Sequence, residues 1–272
     1  MRTRLIKDKR VLLGGALLIV TTLVAILAPV LTSYSPTKTH MSDLLQPPSL
    51  EHLFGTDSFG RDILSRVLYG ARISLLIGMT SSVLVGMIGT FFGMIVAFVR
   101  PLEEILMRVL EGIMAIPAML LAMIIMAILG RGIDKVILAF VIVYTPQVAR
   151  LVRGEALRVQ KENYLEAANA LGASTLSIIW RHVLPNIVSP LLVQTSFMFA
   201  FAVLTEAGLS FLGLGVPPPK PSLGLMLAEA RDYIRYAPWI SWFPGFNIIL
   251  IVLSMNLLGD GLRDAFDPYF RY

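Results

Sequence analysis

A chain of 272 residues in which 56% are hydrophobic and only 15% charged is far more apolar than a globular composition allows, so it reads as an integral membrane protein. The formal charge of +5 is scattered through short loops between apolar runs and forms no basic patch with interleaved aromatics, which argues against nucleic acid. With no cysteine, disulfides, thiolate metal sites and thiol nucleophiles are excluded.

A bilayer core of about 30 Å calls for roughly 20 apolar residues of helix. Six runs answer to that size: 11–31, 73–99, 112–129, 136–148, 187–212 and 243–258. The basic stretch 1–10 before the first run resembles the start of a secretory signal. Its apolar run is too long for one, however, and no small-x-small cleavage site follows, so it reads as a retained anchor. Between the first two runs, Ile63, Leu64, Val67 and Leu68 alternate with Asp62, Arg66 and Arg72. This pattern predicts an interfacial helix over 60–72 on the outer surface, with Asp62 and Arg66 as an i,i+4 ion pair. Whether it simply packs or contacts a delivery protein stays open.

In the second run, Gly78, Gly86, Gly89 and Gly93 place several glycines on one helix face, for close packing or to line a pore. Pro101 is expected to stop that helix and Pro117 to kink the third span. The fourth run is short and would borrow flanking residues.

The segment 149–186 is the one long polar interruption of the membrane-spanning half. Asn163 can cap a helix running to Leu171, with Leu165, Ala168 and Leu171 or Gly172 as its apolar stripe and Glu162 and Glu166 near its positive end. Gly172 suits the left-handed position that ends such a helix. Ser174 can start a second helix, which Pro185 should end near Leu184. The alanines at 167, 168 and 170 keep the first helix slim, so a partner's backbone can approach closely. Such a hairpin can neither cross lipid nor build a core alone, and its use is docking another protein.

The fifth run contains Glu206, a carboxylate at membrane depth. It either faces a substrate path or pairs locally near the outer interface. The loop 213–242 is too long for a tight connection, and Tyr233, Tyr236, Trp239 and Trp242 fit an interfacial belt or a lid. With the N-terminus inside, segments 1–10, 100–111, 149–186 and 259–272 hold 14 Lys and Arg against 9 outside, which places both termini in the cytoplasm.

No G-x-x-x-x-G-K-[ST] run is present, so nucleotide phosphates are not cradled here by a P-loop. Gly208-Leu209-Ser210 is faintly like an intramembrane protease motif, yet none of His40, His52 and His182 falls in a span to act as base. His40 and His52 are too far apart for a helix-based metal site, and the 13 methionines read as adaptable core packing. A passive channel or scaffold would differ from a pump in lacking dependence on ATP hydrolysis.

Glu166-Ala167-Ala168, three residues, Gly172, nine residues, His182, one residue and Leu184-Pro185 resembles the EAA loop of binding-protein-dependent ABC importers, departing only at His182, where the family has isoleucine. Gly55 to Asp62 with Ser65-Arg66 and Gly70 to Leu75 is similar to the peptide/nickel branch of these permeases. So are Gly208 to Gly215 with Pro217 to Pro219, and Asn256 to Asp264 with Asp267-Pro268. Leu223 before Gly224 departs from a tryptophan common in that branch. The resemblance covers nearly the whole chain. It implies an all-α polytopic membrane protein of six transmembrane helices, in the MetI-like architecture of type I ABC importers. Residues 1–72 would form the anchor and outer segment, and 73–272 the permease core. Implied partners are a second homologous permease subunit, two ABC ATPase subunits that bind the ATP and Mg, and an extracytoplasmic substrate-binding protein. The implied setting is a bacterial or archaeal cell membrane. The substrates implied are di- or oligopeptides, or alternatively nickel or a metal chelate. The residues implied to couple to the ATPases are Glu166, Ala167, Ala168, Gly172, Leu184 and Pro185, while Glu206 is the candidate for the path; no catalytic, cofactor-binding or metal residue is implied.

Overall fold

The computed structural model describes residues 8–266; the side chains of Glu166, Asn169 and Phe266 lie outside that description, as do Arg2, Arg4 and Lys7 and the Asp267-Pro268 pair. Helix α1, Lys9–Ile26, opens at Asp8, whose carboxylate accepts the Arg10 N–H at 2.8 Å. Arg10 itself pairs with Asp264 at 2.7 Å, tying the first helix to the last. After a short turn, Ala28–Leu31, residues 32–62 form a connecting segment without long helices.

Helix α2, Ile63–Phe98, is 36 residues long, so at 1.5 Å per residue it extends roughly 54 Å and overshoots the bilayer core. The expected separate interfacial helix over 60–72 does not exist: this stretch is the buried first turns of α2. Asp62 caps the helix by accepting the Ser65 N–H at 2.8 Å. A capping carboxylate points back over the N-terminus, away from Arg66, so the predicted i,i+4 pair is absent.

Helix α3, Arg100–Met114, has Pro101 in its first turn, as a chain restart after α2 requires. It meets α4, Ala118–Leu129, at 90°. The run 112–129 is therefore not one continuous span. Pro117 takes the N-cap position of α4, where its missing N–H costs no hydrogen bond, and the chain breaks there instead of kinking. Helix α5, Ile133–Gln160, contains the short fourth run and extends it at both ends.

Then follow α6, Asn163–Ala170, and α7, Thr175–Ile178. A π-helical turn over Ile179–Val183 leads into α8, Leu184–Phe211. After the short helix α9, Leu223–Ala230, the last described helix is α10, Trp239–Phe266. Among the described residues five helices are long and apolar enough to cross a membrane, counting α7 to α8 as one, and the broken pair α3–α4 makes a sixth.

Helix α2 is the axis of the bundle. Its glycines serve contact: a Cβ on Gly89 would stand 2.6 Å from Val148, and on Gly93 2.7 Å from Val152 and the Ala149 carbonyl, so α2 and α5 touch nearly backbone to backbone. Gly78 and Gly86 likewise admit Phe199 and Thr195 of α8. One core, including Ile77, Val85, Phe140, Val152 and Met198, fills the bundle. A second, including Ile63, Val67, Phe199, Leu223 and Ile240, seals the end where α2 begins against α9 and α10.

Candidate functional site

The polar hairpin is anchored on one side and bare on the other. Leu165, Ile178 and Val183 are buried in the main core with Val152 and Val159 of α5 and Ile187 of α8. Leu171, 89% exposed, Leu176 and Trp180 project outward. The expected stripe Leu165–Ala168–Leu171 therefore splits: Leu165 is inside, Ala168 half-buried, and Leu171 uncovered at the tip. The termini of α6 fall within a residue of expectation. Gly172 has φ +81°, and the Ala173 N–H reaches back to the Ala168 carbonyl at 3.0 Å, the six-to-one bond of a left-handed helix close. Ser174 starts α7, its hydroxyl accepting the Ser177 N–H at 3.3 Å.

Pro185 does not end the second helix. Leu184 is helical, and its N–H bonds to the carbonyl of Ile179, five residues back. This wider turn makes room for the proline ring, which ordinary four-residue spacing would drive into a carbonyl. Asn186 steadies the joint, donating to the His182 carbonyl at 2.6 Å and to the Tyr164 hydroxyl at 3.2 Å. The hairpin is thus continuous through α8 with a membrane span. Ala167 is exposed and Ala168 half-buried on α6, Leu184 is half-buried and Pro185 exposed at the joint, and Gly172 makes the bend between the two arms; Glu166 enters only through its backbone in α6.

Glu206 has no exposed surface. The Ser74 hydroxyl of α2 donates to one carboxylate oxygen at 3.0 Å and the Ser210 hydroxyl to the other at 2.7 Å. Ser210 also accepts the Val216 N–H at 3.2 Å. Its oxygen is thereby committed to structure. Gly224 of α9 lies directly on the Ala207 backbone beside this group, and Leu223 is fully buried there.

At the end of the bundle where α2 begins stands a cluster that the sequence reading missed. Arg61 pairs with Asp57 at 2.6 Å and with Glu229 of α9 at 2.7 Å. Arg66, 1% exposed, reaches the same Glu229 oxygen at 2.7 Å and Asp57 at 3.4 Å. Asp57 further accepts the N–H groups of Phe59 and Arg61. Asp62 pairs with His52 at 2.9 Å, and Trp239 donates from its indole to the Thr56 carbonyl at 3.2 Å. Two cations and two carboxylates thus fasten the 32–62 segment to α2 and α9. The only sequence signal was the density of charge in Asp57, Arg61 and Arg66 before an apolar run; Glu229, well over a hundred residues on, gave none.

This bundle matches known proteins. Residues 86–272 fit the model of the binding-protein-dependent transport system inner membrane component, and residues 1–48 the N-terminal TM domain of oligopeptide transport permease C. A dipeptide transport system permease protein, DppC, of Alkalihalophilus pseudofirmus is 44% identical over 97% of this chain and 88% of its own length. The oligopeptide transport system permease protein OppC of Bacillus subtilis is 37% identical over 97% and 87%. In fold, the chain is similar to a solved chain of the MetNI methionine ABC transporter in an inward-facing conformation, with TM-score 0.62 and 20% identity over 73% of this chain and 95% of that one. The chain belongs to the family of binding-protein-dependent transport system inner membrane components.

Proposed function

We propose that this chain forms half of the translocation path of an ATP-driven importer of di- or oligopeptides, and that the α6–α7 hairpin is where cytoplasmic ATPase subunits grip it. The chain is a multi-pass cell-membrane permease with no catalytic chemistry or cofactor of its own. The observation that carries the reading is the hairpin's two faces. Leu165, Ile178 and Val183 lock it into the bundle, while Leu171, Leu176 and Trp180 are large apolar side chains left exposed on it. A force applied to them passes through the π turn into α8.

In this reading a second, homologous permease chain completes the path, two ATPase subunits bind ATP and Mg, and an extracytoplasmic binding protein delivers substrate. Residues 1–72 supply anchor and outer segment, residues 73–272 the permease core, and both termini face the cytoplasm. ATP closes the ATPases, the hairpin follows, and the spans rock between outward and inward states. The printed names of the relatives support peptides over nickel or a metal chelate. Glu206 joins the path in a state where α2 and α8 part, because that movement frees the oxygen that Ser74 of α2 holds here.

The reconstituted complex is expected to hydrolyse ATP faster when binding protein and dipeptide are present, and cells carrying it to accumulate labelled dipeptide but not labelled nickel. Nickel uptake without peptide uptake would select the metal reading, and substrate-independent flux without ATP hydrolysis would contradict an importer. In the same assay, loss of uptake in an assembled Glu206→Gln transporter supports its place on the path, whereas normal uptake removes it.

A further inference from the structure

An open cavity of about 320 Å³ lies between α1 and α2, walled by Leu18, Ala25 and Ile26 on one side and Leu75, Leu76 and Met79 on the other, with Arg72 also lining it. The depth of this groove follows from its helices. Arg72, Leu76, Met79, Val83, Met87 and Phe91 form one exposed stripe along α2. From Arg72 to Phe91 it runs roughly 28 Å at 1.5 Å per residue, close to the hydrocarbon thickness of a bilayer. Arg72 therefore stands at the outer boundary, and the groove descends from it into the apolar layer. Bulk water has no place against such walls at that depth, so the groove is filled by something apolar.

The charge at the mouth narrows the choice. Among the described residues, the ion pairs at this end of the bundle engage Arg61 and Arg66 and leave Arg72 out. An exposed guanidinium at the headgroup level is a bidentate partner for a phosphate. Below the guanidinium the walls are apolar on both helices, which suits the acyl chain that a phosphate-bearing lipid carries.

We infer that this groove is a binding site for one phospholipid of the outer leaflet, its phosphate on the Arg72 guanidinium and one acyl chain laid between α1 and α2. The lipid fills the splay between the anchor helix and the core and fixes the angle at which α1 leaves the bundle.

The absence of cysteine makes the test clean. Thr80→Cys, carrying a photo-crosslinker, is placed in the intact transporter in phospholipid nanodiscs. On illumination the chain is expected to gain the mass of one phospholipid. Adding Arg72→Ala is expected to lower that adduct about tenfold, the loss of one charge-assisted contact. Thr22→Trp, which fills the slot from α1 and leaves Arg72 in place, is expected to abolish it. An adduct with the second permease chain, or a lipid adduct that neither substitution reduces, would overturn the assignment.

Discussion

Gly172→Val is expected to abolish most transport while leaving the protein in the membrane. At φ +81° a side chain meets its own carbonyl, a conflict worth about 1–2 kcal/mol and worse for a β-branched residue. No neighbouring atom lies within 4 Å of a Cβ built there, so the entire cost is conformational and falls on the bend between α6 and α7. Relaxing the bend shifts α6 relative to α7 and so changes how the exposed Leu171, Leu176 and Trp180 are presented to a partner. Since each 1.4 kcal/mol is a factor of ten, the docking-competent hairpin should become about tenfold rarer or more. ATPase co-purification and peptide uptake should fall together, with normal permease in the membrane. Gly172→Asn, which tolerates the left-handed region, should keep most of both. Equal behaviour of the valine and asparagine variants would mean that the bend does not matter.

Arg66→Ala should be the most destabilising single change at the end of the bundle where α2 begins. Arg66 is buried between Asp57 and Glu229, and removing one member of such a cluster leaves a carboxylate without its full countercharge, at about 3–5 kcal/mol. The melting temperature of the purified transporter should drop by on the order of 10 °C. Combining Arg66→Met with Glu229→Gln removes one charge of each sign and should recover part of the loss. A melting curve unchanged by Arg66→Ala would show that the cluster is not what fastens α9 and the 32–62 segment to α2.

These two sites differ in how far the sequence announces them. Gly172, Ser174 and the alanines of α6 act through their own backbone, so local pattern suffices to place the hairpin and its bend. The spans are legible for a related reason, because crossing lipid requires uninterrupted apolar length, and the packing glycines of α2 stand out because only small residues let helices touch. What the sequence did not reveal depends on partners distant in the chain. Asp62 could bond Arg66 by spacing alone, but capping α2 and pairing with His52 claimed it instead. Glu229 joins Arg61 and Arg66 only because α9 folds back over α2.

The prolines show a subtler gap. Pro117 and Pro185 carry the same local rule, yet one breaks a helix by 90° and the other is absorbed in a π turn. The rule states which hydrogen bond is lost, and tertiary packing decides how the chain recovers. Around Pro185, Val183 and Ile187 are buried in the core, which holds the helix together across the defect. Around Pro117, Ile116 and Met119 are exposed, and core contact resumes only on the α4 side, through Ala118, Leu121 and Ala122.

The central claim is that a motor grips the α6–α7 hairpin, and the most direct measurement is site-specific crosslinking from Leu171→Cys in the assembled transporter. The account predicts a crosslink to an ATPase subunit, protection from membrane-impermeant thiol reagents applied outside, and a change in crosslinking yield when ATP is added. Labelling of that position from the external side, or a hairpin that crosslinks to no ATPase subunit in an actively transporting complex, would contradict it.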